Sequence, residues 1–418
     1  MRAATGPRAE LMVEGLPLAA VAERFDTPCY VYSRAAIEAR YRAFADAFAR
    51  HPTRVCYAVK ANGNLAVLGL LAARGAGFDI VSGGELERVL RAGGTAARTV
   101  FSGACKLDAE LARALESGVA CFNVESEPEL LRLSELAQAS GRAAAVALRV
   151  NPDVEAGDHP HISTGRREHK FGLGLDVAGA LATRAASLPG IRLTGLACHI
   201  GSQMLDLEPL ARALTQLARL ARELLAAGLP LRHVDAGGGL GIDTAERAAP
   251  TPAQYAEVVL GALAGVGLDV VVEPGRAIVG PAGVLLTRVV YVKEGHGRRF
   301  ALVDAAMNDL VRPALYGAWH DIVPVRGEAL SGAVPVDVVG PVCETADYLG
   351  RDRRLAVQAG DLLAVTDAGA YGFAMSSNYN SRPRCAEVMV SDGHARLVRR
   401  RETTEDLWRG ESLFDEVG

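Results

Sequence analysis

Between about residue 30 and residue 280 the chain alternates short apolar runs with longer stretches of helical periodicity, the pattern of repeated βα units around a parallel sheet. The apolar runs are residues 54–61, 78–82, 99–103, 121–125, 144–151, 193–202, 233–237 and 270–274. Eight strands at this spacing predict a closed (β/α)8 TIM-type barrel. Between them, Ser33 is placed to cap a helix in which Ile37, Tyr41, Phe44 and Phe48 recur at spacings of four, three and four. Residues 207–227 carry a similar helical bias. Beyond residue 280 the texture changes to Val-rich runs broken by Gly and Pro, as in 283–293, 300–305, 334–339 and 362–366, which predicts a mostly β second domain. The early run 27–32 is also strand-like and suits either the barrel or the β domain. The expected division is a barrel over 34–281 and a β-rich domain built from 1–33 plus 282–418 that contributes to the active site.

Composition narrows the functional classes. The 418 residues are 50% hydrophobic and 22% charged, as in a folded globular protein with room for two domains. A net charge of −4 gives no overall attraction to nucleic acid or an anionic membrane, so neither is expected as a partner. Residues 1–15 carry Glu10 and Glu14 and no sustained apolar run, unlike a secretory signal, and apolar runs elsewhere stop well short of the roughly 18 residues that span a bilayer. Seven scattered cysteines without a CxxC pair indicate neither a disulfide framework nor a metal site, and fit a reducing cytoplasm. Lysine is scarce: only Lys60, Lys106, Lys170 and Lys293 are available for amine chemistry.

In a barrel of this type the active site lies at the carboxyl ends of the strands. The first strand ends with Lys60, where desolvation on leaving an apolar strand favours the free amine that Schiff-base chemistry needs; taken alone, a lysine there serves equally well as a rim residue. The sixth supplies the His199 ring and the Ser202 hydroxyl, and the seventh runs into Gly237, Gly238 and Gly239, which form either an anion loop or a tight turn. The eighth ends in an acid, Glu273, and a guanidinium, Arg276. An aldehyde trap, a stacking ring, a phosphate cradle and a carboxylate for a pyridine nitrogen are together what pyridoxal phosphate requires. In the β domain, Cys343 and Glu344 follow one apolar strand and Tyr371 another; the thiol could be an acid or a buried cysteine, and the tyrosine could reach a phosphate or pack.

These strand ends belong to longer motifs: Tyr-Ala-Val-Lys-Ala-Asn at 57–62, Phe-Asp-Ile-Val-Ser-Gly-Gly-Glu at 78–85, His-Ile-Ser-Thr-Gly at 161–165 and Lys-Phe-Gly at 170–172. There follow His-Ile-Gly-Ser-Gln at 199–203, Gly-Gly-Gly-Leu-Gly at 237–241 and Glu-Pro-Gly-Arg at 273–276. The second half adds Met-Asn-Asp-Leu-Val-Arg-Pro-Ala-Leu-Tyr at 307–316, Gly-Pro-Val-Cys-Glu at 340–344, Gly-Ala-Tyr at 369–371 and Ser-Asn-Tyr-Asn-Ser-Arg-Pro at 377–383. In this order and over nearly the whole length the chain resembles the pyridoxal-phosphate-dependent decarboxylases with an alanine-racemase-like barrel. The resemblance implies that Lys60 forms the Schiff base, His199 stacks on the pyridine ring, Glu273 pairs with its nitrogen and Asp79 supports it. It implies a phosphate site of Ser202, Gly237, Gly238, Gly239, Gly275, Arg276 and Tyr371, and a substrate site of Arg276, Arg312, Tyr316, Glu344 and Tyr371. It further implies that Cys343 is the proton donor, reaching with Glu344 across an obligate homodimer.

Within that family Arg312 favours a substrate with a second carboxylate and Glu344 one with a distal ammonium, so the expected reaction is meso-2,6-diaminopimelate to L-lysine and carbon dioxide, the last step of lysine biosynthesis. The alternatives are decarboxylation of ornithine, arginine or a carrier-tethered amino acid, or a non-catalytic relative. A racemase is disfavoured by the Cys343–Glu344 pair, and loop 159–170 is read as either a mobile lid or an ordinary surface loop.

Overall fold

The computed structural model describes residues 2–3, 10–155, 170–295, 297–327 and 332–414. Residues 159–169 of the expected lid, with the 161–165 motif, lie outside them. The chain divides into two compact units, Ala36–Gly280 and Met1–Ala35 with Pro281–Gly418.

The first unit is the barrel. Its strands are Thr53–Ala58, Gly77–Ile80, Thr99–Phe101, Cys121–Val124, Ala144–Asn151, Ile191–Ala197, His233–Asp235 and Asp269–Val272. Each pairs in parallel with the next, and pairing of Val270 with Thr53 closes the ring. All eight coincide with the expected runs, but several stop sooner: Lys60 sits in a 3-10 turn, Val59–Ala61, and His199 and Ser202 follow a strand that ends at Ala197. The helices face the sheet as their periodicity requires. Ile37, Tyr41 and Phe44 are buried in Arg34–Ala47, and Leu210, Leu214, Leu217, Leu220 and Leu224 in Glu208–Ala226. The first of these helices begins after Ser33 with help from outside: the Glu14 carboxylate accepts from the Ser33 hydroxyl at 2.7 Å and from the Ala35 N–H at 2.9 Å.

Strand periodicity of two sorts the barrel interior into layers. Cys56, Val100, Cys121, Ala147, Ala197 and Val271 form a buried apolar cluster, small enough to fill the ring from six strands. Two residues further along three of those strands, on the same face, come Asn123, Arg149 and Glu273. Polar chemistry therefore starts one layer above the apolar plug, towards the carboxyl ends.

The second unit is mostly β. Its sheet runs Tyr348–Leu355, Val334–Val339, Arg298–Val303, Gly283–Gly295, Cys29–Ser33, Ala386–Ser391 and His394–Arg399, with Leu362–Val365 and Ile322–Pro324 joined at Gly283–Gly295. The early strand-like run thus joins the β unit, antiparallel to Gly283–Gly295 and parallel to Ala386–Ser391. Val31, Val284, Leu286, Val388 and Val390 pack with Leu18 and Val21 of helix Leu18–Phe25 as its core.

One of the four lysines is purely architectural. The Lys106 ammonium is fully enclosed and bonds the Gly103 and Asn123 carbonyls, both at 2.8 Å, and the Glu129 carboxylate at 2.6 Å. It ties the loop after the third strand to the fourth strand and to the helix that follows, Glu127–Ala139. Replacing it by Met takes the cation from the enclosed Glu129 carboxylate; Lys106→Met is expected to lower stability by about 3–5 kcal/mol in urea denaturation.

Candidate active site at the barrel mouth

The 3-10 turn after the first strand carries Lys60 out of the sheet, and its ammonium meets the Asp79 carboxylate at 2.5 Å. Asp79 lies on the neighbouring second strand and is completely buried. The amine therefore does not stand in an apolar rim, as the strand pattern implied, but against a buried carboxylate 19 residues away. Glu85, on the helix after that strand, accepts from the Val81 N–H at 2.7 Å, and burial pushes its pKa up to about 7.

Around this pair the seventh and eighth strands add two more buried acids, Asp235 and Glu273. Burial raises the pKa of both, and for Glu273 the neighbouring Asp235 and Asp79 charges raise it further. Asn123 bridges them, donating to Asp235 at 3.0 Å and to Glu273 at 3.5 Å, and Ser102 donates to Glu273 at 3.4 Å.

His199 approaches from the sixth strand. The Gly238 N–H donates to its Nδ1 at 3.1 Å, which puts the ring proton on Nε2. Enclosure of the ring, and then the Arg149 and Lys60 charges, hold its pKa well below the ordinary histidine value, so the imidazole is neutral. Arg149 itself is pinned at 2.6 Å by Glu125, whose carboxylate also takes the Gly103 and Gly172 N–H groups.

The anion corner forms where Arg276 donates to the Ser202 hydroxyl at 3.0 Å. The glycine loop beside it departs from expectation. The Gly237 N–H is spent on Asp235 at 2.9 Å and that of Gly238 on His199, so of the three only the Gly239 N–H lacks a partner among the described residues. The glycines serve chiefly close packing: a Cβ at 237 would strike Cys198 and His199, one at 238 the Glu273 carbonyl, and one at 239 the Gly201 carbonyl and Met204. Gly275 likewise fits between Ala58 and Ala61. The Tyr255 hydroxyl props the loop through the Gly237 carbonyl at 3.1 Å.

In the β unit, the remaining expected residues form two groups. Arg312 is buried and donates to His320 Nε2 at 3.2 Å, while His320 Nδ1 donates to the Thr366 carbonyl at 2.8 Å. Tyr316 stands half-buried one turn beyond Arg312. Cys343 and Glu344 are both exposed: the Cys343 N–H donates to Asn380 at 2.8 Å, and the Tyr379 hydroxyl donates to Glu344. Asp347 shapes their loop by accepting from Met307 at 2.7 Å and Val342 at 2.8 Å. Tyr371 is half-buried with a φ of 54°, in the left-handed region that its Gly-rich turn foreshadows.

Sequence reasoning overlooked Asn123, Asp235, Ser102, Arg149, Tyr255 and His320. Polar residues two positions beyond apolar plug residues were the available signal for Asn123 and Arg149; His320 and Tyr255 offered none.

The barrel mouth fits pyridoxal phosphate. Three buried carboxyls gather near one lysine, and Asp79 Oδ1 is buried with no hydrogen-bond partner among the described residues, an open acceptor that suits a ligand bringing a protonated nitrogen. Ser202, Arg276 and the Gly239 N–H offer donors to a phosphate.

A family model described as pyridoxal-dependent decarboxylase, pyridoxal binding domain, matches residues 34–280. Diaminopimelate decarboxylase of Pseudomonas aeruginosa is 56% identical over 408 residues, 97% of this chain and 98% of that protein. The Vibrio cholerae protein of the same name is 52% identical over 411 residues, again 97% and 98%. The crystal structure of diaminopimelate decarboxylase from Helicobacter pylori complexed with L-lysine is similar with a TM-score of 0.91 and 41% identity, covering 94% of this chain and 98% of that one.

The raised pKa values of Asp235 and Glu273 make stability depend on pH. Both acids have folded pKa values above their unfolded ones, so the folded protein binds more protons once the pH passes the ordinary carboxylate range. Their contribution to stability then falls as pH rises through the folded values. Thermal unfolding of the cofactor-free protein from about pH 5 to about pH 8 is expected to show this decline, and Glu273→Gln to flatten it by a few degrees.

Proposed function

The chain belongs to the pyridoxal-dependent decarboxylases, and on that premise we propose that it converts meso-2,6-diaminopimelate to L-lysine and carbon dioxide. The observation that carries the reading is near-full-length likeness to proteins named for that reaction, joined to a barrel mouth whose lysine, buried acids and anion corner suit the cofactor.

Pyridoxal phosphate, when bound, supplies the sink for the electron pair that a departing carboxylate leaves behind. Lys60 would hold its aldehyde carbon, with Asp79 as the counter-charge that orients the amine. Glu273 would keep a proton at the pyridine nitrogen, and its burial among Asp79 and Asp235 makes a positive partner there favourable. His199 offers a neutral ring face fixed by Gly238. Ser202, Arg276 and the glycine loop would hold the phosphate, with Gly275 allowing the close approach and Tyr371 adding its hydroxyl.

For the substrate, Arg312 would take the distal carboxylate, its guanidinium oriented by His320, while Glu344 would accept the distal ammonium. Arg276, Tyr316 and Tyr371 complete that set. Cys343 would deliver the proton from Sγ. We assign Cys343 and Glu344 to the site of a second copy, with the β-rich unit thereby contributing to catalysis in a homodimer; their exposure in the single chain supports this. Seven free cysteines suit a reducing compartment such as the cytoplasm, and among the described residues no helix is long and apolar enough to cross a membrane.

Carbon dioxide release from diaminopimelate, ornithine, arginine and lysine tests the reaction. Release from diaminopimelate alone is expected; release only from a basic amino acid would overturn the roles of Arg312 and Glu344. Cys343→Ala should cut kcat by about a hundredfold or more, the usual scale for a lost proton donor. Mixing refolded Cys343→Ala and Lys60→Ala chains tests the dimer: shared sites should restore about a quarter of wild-type activity by random assortment, and sites within one chain none.

A further inference from the structure

The opposite end of the barrel holds a second cavity. It has a volume of about 510 Å3 and is lined at the amino-terminal ends of the strands, away from Lys60 and Glu273. The same period of two that places chemistry above the apolar plug places charge below it. Arg54 precedes Cys56 by two positions, His233 precedes Asp235, and Asp269 precedes Val271. Arg98, Arg192 and Arg232 join them at the mouth, so four guanidinium groups and one carboxylate line a single cavity in a chain whose net charge is −4.

The arginines there are largely uncompensated. Arg98 donates to the Gly75 carbonyl at 2.7 Å, whereas the guanidinium groups of Arg54, Arg192 and Arg232 have no hydrogen bond or ion pair among the described residues. Asp269 pairs with none of them among those residues. His233 adds no charge: burial, with Arg54 beside it, pushes its pKa down to about 4, and its ring lies against Gly195, where any Cβ would collide with it. The floor is apolar, formed by Val100, Ala145, Val270 and Val271. Crowded like charges are mutually destabilising, and planar guanidinium groups match phosphate oxygens in pairs.

From this geometry we infer that the amino-terminal mouth of the barrel is a binding site for a compact phosphate-bearing polyanion, gripped by Arg54, Arg192 and Arg232. The anion is either free, as pyrophosphate, or carried on a body that occupies the apolar floor, as in a nucleoside diphosphate. The site is separate from the cofactor's phosphate corner, which uses Ser202 and Arg276 at the other end of the strands.

Calorimetric titration of the cofactor-loaded enzyme with inorganic pyrophosphate and with ADP, at about 0.15 M salt, tests this. Loading fills the cofactor's own phosphate corner. Saturable binding at one site per chain is expected, weakened about tenfold or more by Arg192→Ala and by Arg232→Ala, both exposed positions whose loss should leave the fold and the decarboxylase kcat unchanged. Tighter ADP than pyrophosphate identifies a nucleotide-borne anion, and equal affinities a bare one. No saturable binding of either at several millimolar, or an affinity that the double variant leaves intact, overturns the proposal.

Discussion

Everything at the barrel mouth depends on the burial of three carboxyls, Asp79, Asp235 and Glu273, within reach of one ammonium. Charges of one sign in a low-dielectric setting are costly together, so the group relaxes by the means available: an ion pair at Lys60, a raised pKa at Glu273, and amide donation from Asn123. The neutral state of His199 follows from the same confinement, because enclosure and the Arg149 and Lys60 cations all oppose its protonation. A mouth arranged in this way discriminates between ligands before any reaction begins. It favours a cationic nitrogen at the acids and an anion at Arg276, and a neutral ring-shaped ligand would satisfy neither.

The layering of the barrel gives that arrangement its precision. Six small side chains make a dry plug, and strand periodicity then fixes which residues rise above it and which hang below. Asn123, Arg149 and Glu273 each stand two positions from a plug residue, so their height is set by the sheet and not by a loop. Residues beyond the strands do the finer work of orientation: Glu125 collects Arg149 and two backbone N–H groups, and Tyr255, from helix Pro252–Ala262, braces the glycine turn. Lys106 performs the same service between neighbouring elements without touching the mouth's acids.

The legible parts of the molecule were those with local signatures. Eight apolar runs mark eight strands because each strand is buried on both faces, and the candidate residues Lys60, His199, Ser202, Glu273 and Arg276 stood just beyond strand ends. Partnerships across the ring were not legible, since the contact of Lys60 with Asp79 depends on which strands are neighbours. The glycine triplet misled in one respect. A run of glycines reads as a donor-rich anion loop, yet two of the three N–H groups are consumed internally, and the absence of Cβ atoms matters more for packing against residues 198–201 and 273. In the β unit His320 carries no pattern of its own; its use appears only when the strand Leu362–Val365 brings the Thr366 carbonyl to its other nitrogen.

The two sets of site residues also differ in how they meet water, and that difference bears on their chemistry. Asp79, Asp235, Glu273 and Arg276 are buried, so their orientation is settled by the fold before a ligand arrives. Cys343 and Glu344 are exposed on a loop whose backbone is pinned by Asp347 and Asn380, leaving the side chains fixed in position but open to solvent. A proton donor gains from such an arrangement, because a thiol in contact with water can be reprotonated after each turnover, whereas one as deeply buried as Cys56 or Cys198 has no route to a proton. Of the seven cysteines only Cys105 shares this exposure, and it lacks a neighbouring acid of the kind Glu344 supplies in sequence. Exposure, an adjacent carboxylate and a pinned backbone therefore set Cys343 apart from the other cysteines, and they support its proposed role on grounds separate from family likeness.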